Sequence, residues 1–155
     1  MPKIKKIEER LIELNIEIPK PLIPLGSYTP AVISGSFVYV SGQLPIQNGE
    51  LLYKGCVGEQ VSLEQGYKAA RIAAINAISA ITTVVDDLNK IKKIVKLNGY
   101  VASSGNFFDQ PKVINGASEL FFEIFGEKGI HSRSAIGVGS LPLQSCVELD
   151  LIAEI

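Results

Sequence analysis

The chain has 155 residues, with 15 basic and 16 acidic side chains, one histidine and two cysteines. That length suits a single domain, able to bury roughly two thirds of the surface its unfolded chain exposes. The near-zero net charge excludes a whole-molecule field that would draw in nucleic acid or an anionic membrane. One histidine, with Cys56 and Cys146 far apart, cannot easily assemble a zinc site.

The cysteines lack CxxC spacing and the density of a small secreted framework, so they read as free thiols in a reducing compartment. The N-terminus alternates charge with isoleucine and has no h-region, and no apolar run reaches the ~20 residues of a membrane span. The expected location is cytoplasmic.

Ile4, Ile7, Leu11 and Leu14 recur at helical spacing among charged residues, predicting a short amphipathic helix. Pro19, Pro21 and Pro24 then force an extended connector, because a proline biases its predecessor out of the helical region. Ala31 to Ser34 and Phe37 to Ser41 flank Gly35-Ser36, a two-residue hairpin signal. Gln47-Asn48-Gly49-Glu50 and the surroundings of Gly55 and Gly58 read as loop. Ser62 opens the longest helix, with Gln65 completing a capping box, and the alanines and isoleucines from Ala69 to Ile81 give it a broad apolar surface suited to lying across a sheet. Lys90, Lys92, Lys93 and Lys96 read as a solvated helix end and strand start. Val95, Leu97, Gly99 and Val101 alternate with polar residues, predicting a strand. Asp109-Gln110-Pro111 starts the last helix, whose apolar residues include Leu120, Phe121, Phe122, Ile124 and Phe125, and Gly126 ends it.

The C-terminal segment alternates twice, over 132–138 and 147–155, with Leu141-Pro142 between, and reads as an antiparallel hairpin. Arg133, Ala135 and Gly137 share one face of the first strand; Glu148 and Asp150 lie opposite the apolar face of the second. On this reading Arg133 and Glu148 both point away from the core, and the small residues beside Arg133 leave room for a ligand. A fixed guanidinium with a nearby carboxylate suits a small anion; a plain surface ion pair fits the same residues. His131 precedes the strand at a turn and reads as structural. Two helices cover one sheet face only. The other face, carrying Arg133, Ala135, Gly137, Cys146, Glu148 and Ile152, is too mixed for solvent and suggests a closed homo-oligomer.

Four stretches in order give the chain a resemblance to the reactive intermediate deaminase (Rid, YjgF-type) family. These are Gly26-Ser27-Tyr28-Thr29-Pro30-Ala31-Val32, Val40-Ser41-Gly42-Gln43-Leu44-Pro45, Asn115 with the Phe121-Phe122 helix, and Arg133-Ser134 followed by Leu141-Pro142 and Val147-Glu148. The match runs over residues 26–155, with residues 1–18 as a helical extension of a single 1–155 domain, which marks a longer subgroup. The resemblance implies an α+β, chorismate-mutase-like fold: a mixed sheet with two helices on one face, assembled as a barrel-like homotrimer with sites in clefts between subunits. It implies hydrolysis of reactive enamines and imines, of the 2-iminobutanoate and 2-iminopropanoate type, to 2-keto acids and ammonia, with no metal or cofactor. Arg133 matches the carboxylate-binding arginine and Glu148 the glutamate that handles water. Tyr28, Ser41 and Asn115 match residues lining the cleft. The second residue after the arginine is often cysteine in the family; here it is Ala135. The alternatives are a non-catalytic keto-acid binder and, less well matched to a near-neutral chain, an endoribonuclease or translation inhibitor.

Overall fold

The computed structural model describes residues 6–155. Its elements in chain order are α1 (Ile7–Glu13), β1 (Ala31–Ser34), β2 (Phe37–Gln43), β3 (Ile46–Gln47), β4 (Glu50–Leu51), α2 (Leu63–Ile81), β5 (Lys93–Ala102), α3 (Gln110–Phe125), β6 (Ser132–Val138) and β7 (Val147–Glu154). Ile4, assigned to the first helix by its spacing, lies outside the described residues. The other predicted elements form where local chemistry dictates them. Ser34 pairs with Phe37 across a two-residue turn whose Gly35 sits at φ 60°, where glycine carries no steric cost. Ser62 Oγ accepts from the Gln65 amide at 3.1 Å while Gln65 Oε1 accepts from the Ser62 amide at 2.9 Å, so the capping box is complete.

Strands β1-β2-β7-β5-β6 form one mixed sheet, in that order. All its pairings are antiparallel except β5 with β6. The C-terminal hairpin expected from alternation is therefore absent: β5 lies between β6 and β7. Alternation reports which faces a strand shows, not which strand lies beside it, and a longer helical crossover through α3 competes with the Leu141-Pro142 turn. A second small correction concerns Asn48-Gly49. It is the turn of a β3–β4 hairpin, with both residues at positive φ, and not open loop.

Helices α2 and α3 cover one sheet face. Beneath them lie Val38, Val40, Leu97, Val101, Leu149, Leu151 and Ala153, all buried. The alanines of α2 (Ala69, Ala70, Ala73, Ala74, Ala77 and Ala80) are buried too, and their small size brings the helix close to the sheet and to α3. Contact between the helices is tightest at Gly116, where an added Cβ would sit 2.1 Å from the Tyr67 carbonyl oxygen. Gly116→Ala should therefore lower stability by roughly 1–3 kcal/mol of overpacking, outweighing the helix-propensity gain of about 1 kcal/mol. An unchanged denaturation midpoint would show that the two helices separate freely.

Helix α1 packs on the far end of α3. Its Arg10 Nη1 donates to the Glu123 carbonyl at 3.4 Å, placing a cation at the negative end of the α3 dipole. The connector that follows is held to α2 by Ser79 Oγ, which donates to the Pro19 carbonyl at 2.6 Å. No helix among the described residues is long and apolar enough to cross a membrane.

The opposite sheet face has no helix among the described residues. It carries Val32, Phe37, Tyr39 and Ile136, all exposed, with Lys96, Asn98, Tyr100, Glu148, Asp150 and Ile152. Its membership differs from the expectation. Arg133 pairs with the core residue Leu97, so Arg133, Ala135 and Gly137 all lie on the helix side. Cys146 is in the core, where burial pushes its thiol up to about 11.

Candidate functional site

β6 is an edge strand, so its helix-side residues meet α3 at the rim of the core. Arg133 Nη1 donates to Asn115 Oδ1 at 2.8 Å and to Ser118 Oγ at 3.1 Å. Asn115 and Ser118 are three residues apart in α3, hence neighbours on one helix face. Asn115 lies within the second turn of α3. Both Nη1 protons are thus committed to α3. Among the described residues nothing accepts from Nε or Nη2, and that edge of the fork has the geometry for a bidentate carboxylate. A groove of about 560 Å³ opens there, lined by Asn115, Ser118, Phe122, Ile130, His131 and Arg133. The space foreseen at Gly137 is not part of it: a side chain there would meet Gln110 Nε2 at 2.7 Å and Ser103 Oγ at 2.8 Å.

His131 joins this cluster. Its Nδ1 lies 2.6 Å from the Gly129 carbonyl oxygen and its Nε2 2.9 Å from Ser118 Oγ. Burial holds its pKa below the ordinary histidine value, against the upward pull of the Gly129 carbonyl and with a smaller downward push from Arg133.

A second cluster forms on the other sheet face. β2 has a register irregularity between Val40 and Gln43, where a bulge can re-aim side chains. Here Gly42 makes room for Glu148: an added Cβ would lie 2.1 Å from Glu148 Oε1. Burial, with the Asp150 carboxylate adding to it, raises the Glu148 pKa above its ordinary value. Ser41 Oγ donates to the Thr29 carbonyl at 2.6 Å, so its proton is used in tying Thr29 to β2 and only its lone pairs remain to be offered. Tyr28 is exposed and, with Pro30, Gly42, Leu25 and Leu143, lines a shallow hollow.

The two clusters do not meet within one chain. Arg133 is aligned with Leu97 and Leu151, whereas Glu148 is aligned with Tyr100 and Ile136. That separates them by two strand spacings, roughly 9–10 Å, and by three residues along the strands, about another 10 Å, on opposite faces. The expected same-face arrangement is overturned, and so is the intramolecular ion pair. Arg133 and Asn115 come together; apart from them, Glu148 lies against Gly42, which follows Ser41 in β2 and lines the same hollow as Tyr28. The residue-by-residue reading missed Ser118 and Gly42, and took His131 for a turn residue. The three-residue step from Asn115 to Ser118 was the available signal for one of them.

The family described as "YjgF/chorismate mutase-like, putative endoribonuclease" matches residues 8–155. Protein TCP17 of Trypanosoma cruzi is 37% identical over 151 residues, covering 97% of this chain and 94% of that protein. Two solved structures are similar throughout. Protein Atu1372 of Agrobacterium tumefaciens, described as of unknown function, is 43% identical at TM-score 0.89, covering 96% of this chain and 91% of its own. A "putative endoribonuclease" from Shewanella oneidensis MR-1 is 38% identical at TM-score 0.94, covering 97% of this chain and 100% of its own. That coverage is too high to leave out the N-terminal helix, so the extension is shared with that protein. With almost the whole chain matched, and with the fold matched alongside it, the protein belongs to the Rid/YjgF-type family.

Proposed function

We propose that the protein hydrolyses small 2-imino acids and their enamine tautomers, such as 2-aminoacrylate, to 2-keto acids and ammonia. The site is composite: Arg133 and Asn115 come from one copy, and Glu148, Ser41 and Tyr28 from its neighbour in a closed homotrimer. The single observation carrying this reading is the split itself. The chain holds a guanidinium edge with no acceptor among the described residues on one face and a carboxyl of raised pKa on the other, each incomplete alone. The exposed apolar residues on the uncovered sheet face supply a surface for such a neighbour.

The chemistry follows from the parts. The Nε–Nη2 edge of Arg133 grips the substrate carboxylate, placing the C=N carbon in the cleft; an enamine first takes a proton from water at its β-carbon, which converts it to the iminium form. Glu148 takes a proton from water as its oxygen bonds to that carbon, giving a carbinolamine. That proton passes to the nitrogen, the C–N bond breaks as the hydroxyl oxygen forms the C=O bond, and the hydroxyl proton goes to the Glu148 carboxylate and from there to the departing ammonia or to water, leaving a keto acid behind. A carboxyl of raised pKa is better matched to this exchange near neutral pH than an ordinary one. An iminium carbon is electrophile enough for these residues to suffice. Ser41 serves as an acceptor for the nitrogen's protons, because its own proton is occupied. Endoribonuclease work calls instead for a basic groove with stacking aromatics. The groove beside Arg133 is flanked by Glu119 and Glu123, and the other face carries Glu148, Asp150 and Glu154.

The test is turnover of freshly generated 2-aminoacrylate, read as pyruvate and ammonia released above the spontaneous rate. Binding of 2-oxobutanoate with no acceleration would overturn the enzyme in favour of a carboxylate binder.

A further inference from the structure

The ring of His131 is oriented by a group that can only accept. Its Nδ1 faces the Gly129 carbonyl, so Nδ1 carries the proton. In the neutral ring Nε2 is then an acceptor, and the Ser118 hydroxyl must donate to it. That leaves the Ser118 lone pairs to accept from Arg133 Nη1. Every donor along Arg133, Ser118, His131 and Gly129 therefore points the same way. A serine inside a helix ordinarily turns its hydroxyl back to a carbonyl of the preceding turn; this one is drawn outward. The ring itself is braced edge-on by Phe121, with centroids 5.8 Å apart and planes at 88°. The carboxylates of α3 that line the same groove have their own partners. Glu119 is bonded by Tyr67, and Glu123 by Arg71 at 2.7 Å.

We propose that Ser118 and His131 are positioning residues for Arg133, a directional relay that fixes the rotation of its guanidinium so that the Nε–Nη2 edge faces the ligand carboxylate. Asn115 alone leaves one Nη1 proton uncommitted and the fork able to rock about that single bond; the second bond, to a hydroxyl whose own direction is set by the ring, removes that freedom. The inference rests on the reading of Arg133 as the carboxylate grip, and concerns what keeps that grip in shape.

Two measurements test it. The chain has one histidine, so its imidazole ¹⁵N signals are unambiguous. The assembled protein should show the Nδ1–H tautomer, and Ser118→Ala should shift the Nε2 signal toward that of an unbonded ring nitrogen. By calorimetry with 2-oxobutanoate as probe, Ser118→Ala and His131→Phe should each weaken binding about tenfold, the scale of one hydrogen bond to a charged group. The double variant should be no weaker than either single one, because both cut one chain of bonds. An Nε2–H tautomer in the wild-type protein overturns the relay, and so do additive losses. Wild-type affinity in Ser118→Ala, when Arg133→Ala no longer binds, overturns the relay alone. Undiminished binding by Arg133→Ala overturns the carboxylate reading, and the relay's role falls with it.

Discussion

Arg133→Ala is expected to remove 2-imino-acid turnover while leaving the chain folded. The side chain contributes to a groove wall, and its two partners, Asn115 and Ser118, border open space where water can replace the lost bonds. Fold stability should therefore change little. The ligand loses more. Two charge-assisted hydrogen bonds at about 1.5–3 kcal/mol each correspond to roughly two to four orders of magnitude in affinity for the carboxylate. Arg133→Lys keeps the charge but not the planar fork, and should fall between wild type and alanine. A well-folded Arg133→Ala protein with wild-type turnover would remove Arg133 from the site.

Glu148→Gln acts on the rate and not on the grip, and should slow turnover by about a hundredfold, within the usual range for a lost general base. The larger effect appears on mixing. If each site takes its arginine half from one copy and its glutamate half from the next, Arg133→Ala and Glu148→Gln chains co-assembled at random should recover about a quarter of wild-type activity from two nearly inactive parents, since each half is intact with even odds in a closed ring. Mass spectrometry of the assemblies would verify that the chains mixed. A mixture no more active than its parents would place both residues in a single-chain site and defeat the composite reading.

Much of this arrangement was legible in the residues, because its determinants are local. The Gly35-Ser36 turn, the Ser62–Gln65 box, the Pro111 start and Gly126 end of α3, and the alternation in β5 depend on neighbours within a few positions. Strand adjacency does not. Nothing in 132–155 distinguishes β6 beside β7 from β6 beside β5, since the choice depends on how α3 packs. The face is a separate matter: the apolar Ile136 and Val138 made their side of β6 look like the core side, whereas Arg133, Ala135 and Gly137 face the helices, which turns an apparent Arg133–Glu148 pair into two separate clusters. The family resemblance named residues on both faces, while the face assignment drawn from alternation put Arg133 and Glu148 together. Gly42 escaped notice for a related reason: its missing side chain matters only because Glu148, more than a hundred residues later, arrives beside it.

The parallel pairing of β6 with β5 also bears on how the sheet closes and where it opens. Ser34 meets Phe37 across a two-residue turn, and β2 and β5 both zip onto the central β7 by antiparallel pairing. Aligning Arg133 with Leu97 spans 36 residues, against 54 between Leu97 and Leu151 and 111 between Val40 and Leu151, so the crossover through α3 closes a shorter loop, at lower entropic cost, than either pairing with β7. With β5 as its one strand neighbour, β6 is also the part of the main sheet that local opening reaches most easily at that end. In the proposed function, the Glu148 side of the chemistry is carried by the strand at the centre of the sheet, and the Arg133 side by one at its margin. The proposed grip on the carboxylate is thus among the first properties the chain loses when it begins to open.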